Sequence, residues 1–355
     1  MQGAHSGRVE ARPTVLITGA AGNLGGLLAR HLIAGGHSLR LMYHRRPLPP
    51  DVAAAPRVRS VQADLADPRT IAPAVDGVDV AVHFAGVLFA PRPETFLPKT
   101  NIGYFSNLLS AAIEARVKRL ILISFPHVEG PTSFEQPATG RLDRQPISIH
   151  ARTRLEEERR LFERTRGTST TPVVLRLGMV YGKGILMIEA ARWLARHRLL
   201  AVWREPTIMQ MLATDDFLRA TEAAILKEGV QGIYLVGDEQ PVTLQHFLDE
   251  ACRAWGYRRP IRVPLWLVYL SATLCEAGAF MLRTPAPFTR DFIRIGRVSH
   301  WATRAARARS SCRRYDIRRS KRAWRRYDVG LKGQGFGLKA HDSGSWAQGS
   351  GWLDP

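Results

Sequence analysis

The strongest constraint on this chain lies in residues 13–33. Val15, Leu16 and Ile17 form a short, apolar, largely β-branched run. Leu24, Leu27, Leu28, Leu32 and Ile33 then recur at helical spacing. Gly19, Gly22 and Gly25 stand at the junction between the two. A strand that turns straight into a helix through this spacing makes an anion cradle. Gly19 lets the chain turn off the strand, Gly22 leaves no side chain between backbone and ligand, and Gly25 lets the helix pack close to the strand. The helix N-terminus adds free N–H groups and partial positive charge, with Asn23 and Leu24 in its first turn. The spacing is G-x-x-G-x-x-G. A glycine-rich turn alone would be weak evidence. The strand before it and the helix after it point to a dinucleotide pyrophosphate.

Further strands are expected at 38–43, 58–62, 79–84 and 119–124, and a helix at about 100–115 carrying Ile102, Phe105, Leu108, Leu109, Ala112 and Ile113. Leu120 to Ile123 is apolar throughout, as in a parallel strand covered on both faces. The alternation predicts an α/β fold, a doubly wound parallel sheet of the NAD(P)-binding Rossmann kind, with a smaller C-terminal substrate region. The expected division is a core at 13–182, a substrate region at 183–300 interleaved with late core elements, and a basic tail at 301–355, disordered or aberrant.

The second strand ends in Tyr43, His44, Arg45 and Arg46, with no carboxylate to bind a ribose 2′-hydroxyl. Cationic side chains there suit a 2′-phosphate, so NADP is preferred over NAD. The alternative is a solvated basic turn.

The formal net charge is +20. Residues 297–355 hold 14 Lys and Arg against 4 Asp and Glu, while the excess in the body is scattered, so no nucleic acid is expected for the body. The tail has two open readings: an aberrant or recently acquired continuation, or a basic segment for nucleic acid or anionic lipid. The three cysteines, Cys252, Cys275 and Cys312, make no metal spacing, and no apolar leader precedes the first strand. A cytoplasmic protein is expected.

Several ordered motifs together resemble the extended or atypical short-chain dehydrogenases/reductases of the NAD-dependent epimerase/dehydratase group. They are Thr18 to Gly25, Ala63-Asp64-Leu65, Val82 to Gly86, Asn101 to Leu109, Leu175 to Gly184 and Gln231 to Gly237. The resemblance covers roughly residues 13–300. It implies an NAD(P)-dependent oxidoreductase acting on a carbonyl or alcohol, with cofactor contacts at the glycine loop. It further implies that Asp64 and Leu65 border the adenine, and that Ala85 and Gly86 lie beside the cofactor. Asn101 matches the family's supporting Asn. The family's Ser falls at Ser124 or, in another alignment, at Phe125.

The family's Tyr-x-x-x-Lys is replaced by His150 and Arg154. In one reading His150 is the acid and base and Arg154, on the same helix face, holds hydroxyls or a carboxylate. In the other, the chain binds NADP without turnover, as a redox sensor or assembly factor, and Arg154 pairs with Glu157 or Glu158.

Downstream, Leu88, Phe89, Phe125, Met179, Met187 and Trp203 are candidate walls for a lipophilic, sterol-like substrate, with a sugar nucleotide as the other class. Asp215 and Asp216 are expected to cap a helix at 217–226. Residues 264–282 are nearly long and apolar enough to span a bilayer. A buried or surface-apposed helix is favoured, with peripheral membrane contact open. A monomer or homodimer is expected.

Overall fold

The computed structural model describes residues 12–302 except 85, 87–92, 134, 239, 241, 283, 285 and 287. Ala85, Leu88, Phe89 and almost all of the basic tail therefore lie outside the described residues.

In chain order the core elements are β1 (Thr14–Thr18), α1 (Asn23–Ala34), β2 (Ser38–Tyr43), α2 (Pro50–Ala53), β3 (Val58–Gln62), α3 (Pro68–Val75) and β4 (Val80–His83). Next come α4 (Pro93–Leu97), a π-helical turn (Pro98–Gly103), α5 (Tyr104–Glu114), β5 (Arg119–Ser124), α6 (Ile149–Arg164) and β6 (Thr171–Leu177). The remainder runs β7 (Met179–Tyr181), α7 (Leu186–Arg196), β8 (Ala201–Trp203), β9 (Ile208–Met209), β10 (Met211–Ala213), α8 (Thr214–Leu226), β11 (Gly232–Val236), β12 (Val242–Thr243), α9 (Leu244–Ala254), β13 (Ile261–Val263), α10 (Leu265–Leu282) and α11 (Arg290–Gly296).

Seven parallel strands form one sheet in the order β11-β6-β5-β4-β1-β2-β3. The order reverses between β1 and β4, and the crevice for a ligand opens there, outside the carboxyl ends of the strands. The doubly wound parallel sheet expected from the alternation is present.

Period-two alternation explains why the strands read as continuous apolar runs. Val15, Ile17, Val82 and Ile121 face the core that includes Leu28 and Leu32 of α1 and Phe217 of α8. Leu16, Ala81, Leu120 and Leu122 face the core built from α3, α5 and α6. The central strands β1, β4 and β5 are buried on both sides, so both sets must be apolar there.

Two expectations about helices are corrected. The helix at 100–115 is not uniform: its first turn widens into the π-helical segment that holds Asn101. The Asp215–Asp216 pair does not cap α8. Ala213 occupies the cap position, both carboxylates sit in the first turn, and the Thr214 hydroxyl donates to the Tyr181 carbonyl at 2.9 Å.

The helix expected at 264–282 is present as α10, but it is not buried. Only Val268, Ala272, Glu276 and Ala279 are buried among its 18 residues.

Candidate functional site

The glycine loop leaves β1 with Gly19 at φ +72°, a left-handed conformation that glycine adopts freely. The Gly22 N–H donates to the Gly19 carbonyl at 2.8 Å. A Cβ on Gly25 would lie 2.4 Å from that same carbonyl oxygen, and one on Gly22 would lie 3.0 Å from it. Backbone fills the space where side chains would be, which leaves the N-terminus of α1 bare. Leu24 is half-buried and packs against the core. Asn23 turns to the other region of the chain: its Nδ2 donates to the Gly184 carbonyl at 2.6 Å, and its Oδ1 accepts from the Leu186 N–H at 3.0 Å.

Along the carboxyl edge, His44 at the end of β2 stands 3.5 Å from a carboxylate oxygen of Asp64, which follows β3. Asp64 also accepts from the Ala66 N–H at 2.9 Å. The Leu65 carbonyl is held by Asn107 Nδ2 at 2.8 Å. Arg45 and Arg46 are exposed.

A buried polar group stands beside β4 and α6. Asn101 Nδ2 donates to Thr153 Oγ1 at 3.0 Å, and its Oδ1 is buried without a partner. Gly86 lies close to Arg154 and Asn101: a Cβ there would be 3.1 Å from Arg154 Nη2 and 3.8 Å from Asn101 Oδ1. Arg154 is itself buried and donates from Nη1 to Glu157 at 2.5 Å. His83 shares a 2.8 Å hydrogen bond with the Thr18 hydroxyl through Nδ1.

His150 lies in the first turn of α6, its ring stacked on Phe125 with centroids 5.1 Å apart and planes 7° from parallel. Asp291 of α11 fixes this helix start, accepting from the Ser148 hydroxyl and from the Ile149 and His150 N–H groups at 3.0–3.3 Å. Burial, with the nearby Arg154 charge, pushes the His150 imidazole down to about 3. Burial and Arg154 likewise lower His83 to about 3. Burial pushes the Glu157 carboxyl up to about 7 against the pull of Arg154. The imidazoles are neutral at pH 7.

Residues 19–180 match the sequence model of a family described as NAD(P)H-binding. The chain is 25% identical over 291 residues to a 2-alkyl-3-oxoalkanoate reductase of Shewanella oneidensis, covering 75% of this chain and 72% of that protein. It is 25% identical over 283 residues to a ceramide reductase of Caulobacter vibrioides, covering 79% and 82%. Among solved structures, the Thermus thermophilus UDP-glucose 4-epimerase in complex with NAD superposes with a TM-score of 0.60 at 20% identity, covering 73% of this chain and 93% of that one.

Residues 19–180 thus match an NAD(P)H-binding domain, and the chain resembles the extended short-chain dehydrogenases/reductases.

Against that family's pattern, the structure brings Gly86 and Asn101 beside Arg154, with His150 one helical turn before Arg154 on α6. It does not bring Ser124 with them. The Ser124 hydroxyl donates to Glu158 at 2.5 Å, inside a second buried cluster where Arg176 also binds Glu158 and Glu129. The residue facing the imidazole is Phe125, the other alignment. Arg154 is not free to hold a ligand with its whole guanidinium, since Nη1 is taken by Glu157. Nor does Trp203 wall a substrate site: it is buried, with Nε1 donating to Thr207 at 2.8 Å. Met179 is half-buried and Met187 exposed.

His83, Thr153 and Asp291 were not singled out from the sequence. Asp291 lies 141 residues from the helix start that it holds, and nothing local marks it. A residue at the end of β4 was the available signal for His83.

Proposed function

We propose that this protein is an NADPH-dependent reductase of a carbonyl on a lipophilic substrate, with His150 as the proton-handling group. One observation carries the reading. Among the described residues, neither ring nitrogen of His150 has a hydrogen-bond partner, whereas His83 Nδ1 is spent on Thr18. The imidazole is buried, oriented by Phe125 and Asp291, and left with both nitrogens open.

The residues fit a nicotinamide dinucleotide. The bare N-terminus of α1 and the crowding at Gly22 and Gly25 suit a pyrophosphate, and the unpartnered Asn101 Oδ1 beside Gly86 suits a polar group arriving from the crevice. Gly19, Gly22 and Gly25 would hold the diphosphate. Arg45 would face the adenosine end and its 2′-phosphate. When bound, such a cofactor supplies the hydride.

The chain's own groups do the remaining work. Neutral His150 gives its ring N–H proton to the substrate oxygen and takes one proton back from solvent water at the other nitrogen, so it relays without resting as imidazolium. Arg154 Nη2 contributes positive charge next to Gly86 and disfavours that cation. The stack on Phe125 excludes water from one ring face. The names of the two reductase relatives, for 2-alkyl-3-oxoalkanoates and for ceramide, support a lipophilic carbonyl compound over a sugar nucleotide.

A second reading is favoured by the Arg154–Glu157 pair and the displaced Ser124: a domain that binds NADPH without turnover. The test is titration with NADPH and NADH by nicotinamide fluorescence, followed by NADPH consumption with long-chain 3-oxo compounds. In the reductase, His150→Ala lowers kcat at least about 100-fold with NADPH affinity retained, and Arg45→Ala weakens NADPH more than NADH. Tight NADPH binding with no turnover of any carbonyl, in wild type as in His150→Ala, would establish the second reading.

A further inference from the structure

Helix α10 is apolar on every side. Its one ionisable side chain apart from Tyr269 and Cys275 is Glu276, and that carboxylate turns inward. Glu276 accepts from the Arg290 backbone N–H and from Arg290 Nε, both at 2.7 Å, and so pins α10 to α11. Val268, Ala272 and Ala279 complete the narrow stripe against the protein. Leu265 and Tyr269 are half-buried against the core, and most of the remaining side chains point away. Trp266 is 64% exposed, Leu274 65% and Met281 82%, with Leu267, Leu270, Phe280 and Leu282 also exposed. A helix hydrophobic all round belongs in a core or in lipid, and this one is not in the core.

The surroundings narrow the choice. α10 follows directly on β13, which pairs with β8. At the start of those two strands Leu199 and Ile261 are exposed, beside exposed Arg196, Arg198, Arg258 and Arg259. Past Ala302 the sequence from Arg304 to Arg326 holds eleven Lys and Arg and one acid, Asp316. An exposed apolar helix in a chain that also carries these exposed arginines and a strongly basic continuation matches a bilayer with anionic head groups.

We propose that α10 seats the protein on an anionic lipid surface, lying in the plane of the interface rather than crossing it. The Glu276–Arg290 link and the packed stripe hold one side of the helix on the protein, so the helix cannot be surrounded by lipid. The same link places the site near the surface: α10 is tied to α11 by Arg290, and the next residue, Asp291, caps α6 at His150.

The test is co-sedimentation of the full chain with vesicles of phosphatidylcholine alone and of phosphatidylcholine with phosphatidylglycerol. The variants are Leu270→Glu/Leu274→Glu and Arg313→Glu/Arg314→Glu/Arg318→Glu/Arg319→Glu. Thermal melting and gel filtration are run on each. Wild type should pellet with the anionic vesicles. The leucine variant should lose at least tenfold of that binding with an unchanged melting curve. The arginine variant should bind more weakly and lose the preference for the anionic vesicles. The proposal is overturned if wild type pellets with neither vesicle. It is overturned too if the leucine variant binds as well as wild type, the arginines then acting alone. A dimer that the leucine variant dissociates, without vesicle binding, would assign the face to a second copy of this chain and also overturn it.

Discussion

Replacing Arg154 by Met should make stability more sensitive to alkaline pH. Glu157 is fully buried and its folded-state carboxyl titrates at about 7, from an ordinary value of 4.5, because burial outweighs the attraction of Arg154. The sign follows from linkage. A carboxyl whose pKa is raised by folding stabilises the folded state fully below about 4.5, and that contribution is lost as pH rises through about 7. At 1.36 kcal/mol per pH unit, ionised Glu157 costs wild type about 3 kcal/mol above pH 7, after which its profile flattens. Without Arg154 the carboxyl holds its proton to higher pH, and the loss continues at the same slope. At pH 5 the variant lacks chiefly one hydrogen bond, about 1 kcal/mol. By pH 9, two units past the wild-type midpoint, the deficit should have grown by about 3 kcal/mol. That is roughly 10 °C in Tm at 2–4 °C per kcal/mol. Thermal unfolding followed by circular dichroism at pH 5, 7 and 9 measures it. A deficit equal at all three values would refute the reasoning, because Glu157 would then not depend on Arg154 for its charge.

Gly25→Ala forces a methyl group against the Gly19 carbonyl, so the loop must open; NADPH affinity should fall at least tenfold and stability by about 1–3 kcal/mol, read by fluorescence titration and melting. Ser124→Ala should leave turnover within about threefold of wild type while costing about 1.5–3 kcal/mol, since the hydroxyl serves Glu158 rather than His150. A large drop in kcat at unchanged stability would restore Ser124 to the chemistry. Arg176→Met strands Glu129 and Glu158 in the interior and should cost about 3–5 kcal/mol at pH 7 in chemical denaturation.

The sheet was legible because its signals are local. Apolar runs such as Leu120 to Ile123 and the spacing of Gly19, Gly22 and Gly25 state their geometry within a few residues. The candidate site was legible in its parts list but not in its pairing. Asn101, His150 and Arg154 can be named from motif position, yet the widened turn under Asn101 leaves no mark in composition. Ser124 and Phe125 are neighbours on an extended segment and point opposite ways, so a shift of one residue decides which meets the imidazole. Arg154 could have paired with Glu157 or Glu158; Arg176, from β6, takes Glu158 and leaves Glu157. Helix α10 misleads for a related reason: hydrophobicity sets the medium a helix wants, and whether protein supplies that medium is a tertiary matter.

The Asn23 clip bears on how the protein comes to exist at all. The side chain that opens α1 is satisfied by Gly184 and Leu186, and the back of the same helix is fastened at its His31 to Glu222 of α8 at 2.9 Å. During synthesis, the first β-α unit to leave the ribosome must therefore wait for some two hundred residues before its fastenings arrive. A fragment stopping after β7 would keep every glycine of the loop but lack the partners of Asn23 and His31, together with the sheet's β11. The glycine loop and its helix are thus among the earliest segments made and among the last to be fastened.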